Sequence, residues 1–261
     1  TKMLKDAVNI PVFIGHNIFS PEDAEKMLAE GNADFVALGR SQLADPAWAK
    51  KAKEGRASDI KPCINCLIGC IDRGMLSHTP IHCTVNPSLY RFECKPVEKA
   101  ETRKQVAVVG AGPAGCEAAL TASKRGHQVT IYEKRCIGGA MIEASKPENK
   151  ANIKRLIHYY EDHIMHDPNI TLVKKEVEYE TLVHRGYDAV IIAVGGKTRI
   201  LNVPGIEKNS VIYASDYLNG STAVTGNTVV VIGGGITGAE TALELNAEGK
   251  KVTIVEMTDA F

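Results

Sequence analysis

A unit of apolar strand, glycine turn, helix, apolar strand and terminal acid occurs twice in this chain. It restricts the possible folds more than any other feature. Residues 105–134 read QVAVVGAGPAGCEAALTASKRGHQVTIYEK and residues 228–257 read TVVVIGGGITGAETALELNAEGKKVTIVEM; they align without a gap, with thirteen of thirty positions identical. One G-x-G-x-x-G is weak evidence, because a glycine trio can mark a turn that merely needs positive φ. Two copies in the same strand–turn–helix context, each followed by an acid at the end of the second strand, make a dinucleotide-binding fingerprint specific. Gly110 and Gly233 make the tight turn, Gly112 and Gly235 let the backbone approach a pyrophosphate, and Gly115 and Gly238 let helix and strand pack closely. Each helix then points its N-terminus at the phosphates, and Glu133 and Glu256 stand where a carboxylate holds ribose hydroxyls.

The segment between the copies continues an α/β pattern. Gly138 and Gly139 mark a turn after the second strand, residues 149–165 have helical periodicity, and residues 170–174 read as a strand. Residues 187–194, YDAVIIAV, read as a buried strand ending at Gly195 and Gly196. Missing side chains there let the backbone pass close to a cofactor, although a simple turn explains the same pair.

Four cysteines precede the first fingerprint: Cys63, Cys66 and Cys70 in CINCLIGC, and Cys83 in HCTVNP. If residues 63–70 are helical, spacings of three and four point all three thiols the same way, with Pro62 suited to the first helical position. Three thiolates from one loop and a fourth nearby suit an iron–sulfur cluster. Structural zinc more often takes two separated C-x-x-C pairs, and the second pair is missing; a disulfide framework suits small secreted chains. Cys94, Cys116 and Cys136 show no grouping, and Cys116, inside the first fingerprint helix, reads as a small core residue.

The front end carries one βαβ unit. Residues 10–14, IPVFI, and residues 34–38 read as buried strands flanking a helix that starts at Ser20 as N-cap with Pro21 at N1 and ends near Gly31. Gly15, Asn17, Gly39 and Arg40 follow the two strands. Loops after the last strands of a TIM barrel commonly bind phosphate, whereas Arg40 could equally pair with Asp45 as a surface arginine. Residues 95–104, polar and containing Pro96, read as a linker. Lys plus Arg equals Asp plus Glu at 31 each, so no net field draws the chain to nucleic acid or acidic lipid. No apolar run approaches membrane-spanning length and no targeting signal opens the chain, which favours a cytoplasmic setting. The chain begins at Thr1 without a Met, as a piece of a longer protein would, and as a processed or tagged product would too.

The order GHNIFSPEDAEKMLAEGNADFVALGRSQLADP, CINCLIGC…HCTVNP, VVGAGPAG, AVGG, VIGGGITGAE resembles the NADH:flavin oxidoreductases that contain FMN, FAD and a 4Fe–4S cluster. That family includes 2,4-dienoyl-CoA, 2-enoate and bile-acid enoyl reductases and trimethylamine dehydrogenase. The resemblance covers essentially the whole chain and implies an α/β architecture incomplete at both ends. Residues 1–60 would be the last βαβ of a TIM barrel, with Gly15, Asn17, Gly39 and Arg40 at the FMN phosphate. Residues 61–95 would hold the cluster through Cys63, Cys66, Cys70 and Cys83, and residues 96–103 would link. Residues 104–215 would form an incomplete Rossmann-like FAD domain with Gly110, Gly112, Gly115, Glu133, Gly139 and Gly195 at the cofactor. Residues 216–261 would begin an NAD(P) domain with Gly233, Gly235, Gly238 and Glu256. Electrons would pass from NADH to FAD, the cluster, FMN and an activated C=C bond of a small unsaturated substrate, in an enzyme that is often oligomeric. The substrate-protonating residues would lie outside this segment, which names no catalytic residue and would be inactive alone. Two alternatives stay open: an amine dehydrogenase whose second nucleotide fold binds ADP, and an electron-input module like the small subunit of glutamate synthase.

Overall fold

The computed structural model describes residues 2–89 and 97–259; Cys94, the start of the expected linker and the last two residues lie outside them. The N-terminal part holds α1 (Lys2–Ala7), β1 (Phe13–Ile14), α2 (Pro21–Ala29), β2 (Phe35–Val36), α3 (Arg40–Ala44) and α4 (Trp48–Lys53). Ser20 caps α2 as expected. Its hydroxyl accepts from Asp23 N–H while Asp23 accepts from Ser20 N–H, a reciprocal capping box with Pro21 in the first turn. β1 and β2 pair in parallel as a two-stranded sheet.

Both strands are shorter and more exposed than the sequence suggests. Val12 is buried, but Phe13 is 66% exposed and Phe35 50%, and the two rings stack with centroids 4.7 Å apart. A two-stranded sheet leaves each strand one unpaired edge and, here, an uncovered face. Apolar sequence alone does not reveal that.

The central part is a four-stranded parallel sheet in the order β5-β4-β3-β6, formed by β3 (Gln105–Val109), β4 (Gln128–Tyr132), β5 (Ile170–Val173) and β6 (Ala189–Ile192). Between β3 and β4 runs α5 (Pro113–Lys124), and between β4 and β5 lie α6 (Met141–Ala144) and α7 (Ala151–His166); α8 (Tyr179–His184) precedes β6. α7 buries Leu156, Ile157, Tyr160 and Ile164, one stripe at helical spacing. β6 departs from expectation: its four residues are exposed, Ile192 by 65%. Among the described strands it bonds to β3 alone, which leaves its apolar residues uncovered here.

The C-terminal part holds α9 (Ala214–Leu218), β7 (Thr228–Ile232), α10 (Ile236–Ala247) and β8 (Lys251–Val255), with β7 and β8 parallel. One core cluster runs from Ala44, Cys63 and Val85 into Val106, Val108, Cys116, Ile131, Leu156 and Ile164. A second gathers Tyr217, Leu218, Val231, Ala242 and Leu245. Among the described residues no helix is long and apolar enough to cross a membrane.

Candidate cofactor sites

The two glycine fingerprints fold alike. Gly110 N–H donates to Tyr132 O and Gly233 N–H to Val255 O, both at 2.8 Å. Both glycines have positive φ, 101° and 103°, which is where a tight turn favours glycine. A Cβ on Gly115 would fall onto the carbonyl oxygen of Gly110, and one on Gly238 onto that of Gly233. These third glycines therefore set how closely helix and strand approach. Gly112 and Gly235 are the N-caps of α5 and α10, at the positive ends of the helices.

The acids at the strand ends reach back to the glycine turns. Glu133 accepts from Ala111 N–H and from Arg135 N–H, each at 2.7 Å. Glu256 accepts from Gly234 N–H at 2.5 Å and from Met257 and Thr258 N–H at 2.8 and 2.9 Å. Those backbone bonds, Gly234's first, hold the Glu256 carboxyl down at about 2. Its folded value is depressed, so the stability these bonds contribute is present above the usual carboxylate range and is lost as pH falls towards about 2. At neutral pH the group is a full negative charge.

Gly138 and Gly139 stand beside the first turn: Gly138 N–H donates to Ala111 O at 2.8 Å. A Cβ on Gly139, where φ is 52°, would lie 2.8 Å from Gly112 Cα. Gly195 has φ 70° with open space around it, a geometry that suits both a plain turn and a cofactor passing close.

Residues 63–67 of the cysteine segment form a loop and not a right-handed helix. Residues 61–67 are irregular, and Asn65 and Leu67 hold left-handed φ of 56° and 61°. That interrupts any right-handed helix, and Pro62 therefore starts none. A π-helical stretch, Ile68–Leu76, follows, with Asp72 N–H donating to Leu67 O five residues back. Even so, Cys63, Cys66, Cys70 and Cys83 line one small cavity with Arg40, Leu43, Gly69, His82 and Thr84. None of the four is bonded to another cysteine. Gly69 is essential to the wrap, because a Cβ there would meet the His82 carbonyl. Burial pushes the Cys63 thiol up from its ordinary value.

Among the described residues no three Cys, His, Asp or Glu side chains converge as ligands of a single ion, as structural zinc requires. A donor set in which each thiolate takes a different iron of one cluster is spread by the cluster's own size. Four free thiols around one cavity could hold such a group.

Arg40 does not pair with Asp45, which instead bonds Lys51 Nζ at 2.6 Å. Its guanidinium donates to Asn17 Oδ1 at 3.0 Å and to Asn65 Oδ1. It thus joins the loop after β1 to the cysteine segment. Gly15 packs against Ala37, with a hypothetical Cβ 3.1 Å from its carbonyl oxygen, and Gly39 is the N-cap of α3. Gly15 and Asn17 therefore follow β1, and Gly39 and Arg40 follow β2 as the N-cap and first residue of α3, with Arg40 meeting Asn17 and the cysteine cavity. Cys116 is fully buried in α5, donates to Ala111 O at 3.2 Å and has its thiol pushed up to about 12 by burial, as a core residue should.

Sequence reasoning missed Asn65, whose signal was present: Asn tolerates the left-handed region, and it sits within C-I-N-C. It also missed Lys61 and Glu117, an ion pair at 2.5 Å between residues 56 apart, for which no local signal exists.

Residues 104–261 match the family model of pyridine nucleotide-disulphide oxidoreductase. Residues 1–59 match that of the NADH:flavin oxidoreductase / NADH oxidase family. The chain is 44% identical over 259 residues to an NADH oxidase of Thermoanaerobacter brockii, covering 97% of this chain and 40% of that protein. It is 34% identical over 258 residues to a cinnamate reductase of Clostridium sporogenes, covering 98% and 38%. The solved complex of 2-naphthoyl-CoA reductase with 2-naphthoyl-CoA superposes with a TM-score of 0.90 at 33% identity, covering 96% of this chain and 38% of that one. The chain thus spans about two fifths of the length of each of these proteins.

Proposed function

We propose, on the premise that the chain belongs to the pyridine nucleotide-disulphide oxidoreductase family, that it is the electron-relay part of an NADH-dependent reductase of activated C=C bonds. The substrate would be an enoate or enoyl-CoA thioester, the class named for the cinnamate and 2-naphthoyl-CoA reductases. The observation that carries this reading is the position of the cysteine cavity. Arg40 from the barrel-like unit lines it, and Cys63 shares a core with the first nucleotide fold. It thus adjoins both the barrel-like unit and the first nucleotide fold.

On this reading residues 1–60 complete a flavin-binding barrel, 61–95 carry the cluster, 96–103 link, 104–215 bind FAD and 216–261 begin the NAD(P) domain. Bound at these places, FAD, a 4Fe–4S cluster and FMN would supply hydride acceptance, one-electron carriage and delivery to the substrate. The chain's own residues bind and orient. The N-termini of α5 and α10 and the glycine turns receive pyrophosphates. Glu133 and Glu256 accept ribose hydroxyl protons in hydrogen bonds. Cys63, Cys66, Cys70 and Cys83 ligate, and the Arg40 cation offsets anionic charge between the phosphate loop and the thiolates.

Glu256 makes the reading testable. Two like charges about 4 Å apart repel by about 1 kcal/mol in water and about 4 kcal/mol at an effective dielectric of 20, so a 2′-phosphate is disfavoured beside it. In the protein as its gene encodes it, NADH is expected to bleach the flavin anaerobically faster than NADPH. A cinnamate-like acid should then reoxidise it. Glu256→Gln should shift the NADPH-to-NADH rate ratio upward by about tenfold. A wild-type preference for NADPH, or flavin that NADH leaves oxidised, would overturn the reading.

A further inference from the structure

Lys61 immediately precedes Pro62 and Cys63 and touches three parts of the molecule. Its backbone N–H donates to Asp45 Oδ2 at 2.9 Å, and Asp45 is buried and also bonded to Lys51. Its ammonium, on a side chain only 15% exposed, donates to Glu117 Oε1 at 2.5 Å. The other oxygen, Glu117 Oε2, accepts from Tyr160 O–H at 3.1 Å. The ammonium also lies 5.6 and 5.9 Å from the ring centroids of Tyr159 and Tyr160, within cation–π range. Burial and the Glu117 charge push the Tyr160 phenol up from its ordinary value, so it remains a donor. Glu117 sits early in α5, the helix whose N-cap is Gly112.

We propose that Lys61 is a positioning residue: it clamps the loop carrying Cys63 and Cys66 onto α5 and so fixes the separation between the cysteine cavity and the first nucleotide site. The functional consequence rests on the reading that the cysteines hold a cluster and that α5 faces FAD. The clamp itself does not. A partly buried cation with a carboxylate and two ring faces has one favourable place. Its backbone is pinned separately by Asp45, so the lysine cannot follow a displaced loop. Electron passage between two centres depends steeply on their separation, so this contact acts on rate without touching a reacting atom.

The test uses the protein as its gene encodes it, with Lys61→Met, Glu117→Gln and the charge-conserving Lys61→Arg. In Lys61→Met, iron, sulfide and FAD contents are expected at wild-type level, and anaerobic flavin bleaching by NADH within about twofold of wild type. The appearance of the reduced-cluster electron paramagnetic resonance signal should slow severalfold, because electron passage falls off steeply as two centres separate. Lys61→Arg should restore most of that rate. Amide hydrogen exchange over residues 61–70, measured on iron-free protein, should quicken about tenfold in Lys61→Met and in Glu117→Gln, as the loss of one charge-assisted hydrogen bond brings. Should Lys61→Met misfold, Glu117→Gln gives the same two readings. Unchanged exchange in a folded variant overturns the clamp. Equal slowing of flavin bleaching and cluster reduction overturns its positioning role. Wild-type protein prepared anaerobically without iron, but with the exchange effect present, sinks the reading of the cysteines and supports the clamp.

Discussion

A Gly115→Ala protein is expected to unfold well below the wild-type temperature, whereas Gly112→Ala keeps its melting point and loses FAD. Alanine in a helix is favoured over glycine by about 1 kcal/mol, so propensity alone predicts stabilisation at position 115. The added Cβ, however, falls on the Gly110 carbonyl oxygen, a backbone atom in a turn that is itself bonded to Tyr132. Overpacking a rigid site costs about 1–3 kcal/mol and at times more, and the overlap with backbone puts this site at or above that upper end. The clash therefore wins, and a drop of about 5–10 °C follows for a domain of this size. At Gly112 the backbone is extended, with φ −71°, and the nearest atom to a Cβ would be Gly139 Cα at 3.9 Å. The fold accepts a methyl there and the pyrophosphate does not, so FAD affinity should fall about tenfold to a hundredfold. Calorimetry and flavin titration on both variants make the check. An unchanged melting point for Gly115→Ala would mean that helix and turn separate at no cost.

Replacing Cys83 by Ser should leave the protein with its cluster absent or damaged, while Cys116→Ser keeps it. The two thiols differ in everything except chemistry. Cys83 lines the cavity shared with Cys63, Cys66 and Cys70. Cys116 is enclosed in the core beside Ala111. An alcohol is a poor ligand for iron where a thiolate is required. In the core the cost of Cys116→Ser is one of desolvation, about 1–3 kcal/mol and partly offset by the Ala111 carbonyl that can accept its proton. Iron and acid-labile sulfide on anaerobically purified protein decide the matter. Stoichiometric zinc without iron in the wild type would sink the assignment.

The nucleotide folds were legible because their rules are local. The turn, the N-cap, the close packing and the acid all lie within thirty residues, and Ser20 and Pro21 announced α2 in the same way. Burial was less legible. The runs at 10–14, 34–38 and 187–194 are apolar enough for core strands, yet burial depends on what lies beside a strand, and Phe13, Phe35 and Ile192 are exposed. The cysteine spacing grouped four thiols that the fold gathers around one cavity; a loop with two left-handed residues brings them together, and not the helical face that the spacing also allowed. The Lys61–Glu117 contact joins positions that only the folded chain brings near.

The apolar core that runs from Ala44 and Cys63 through to Ile164, apart from the smaller one around Leu245, divides the described chain into two units of opening. Side chains that share one close-packed interior unfold together. The segment bearing Cys63 and Val85 packs into the same core as the β3–α5–β4 unit, so its escape to solvent disturbs that unit's packing. The fold around β7 and β8 is joined to it by contacts such as the Lys150–Glu240 ion pair. Loosening around Cys63 therefore disturbs the first nucleotide fold as well, so hydrogen-exchange protection over the two should rise and fall together.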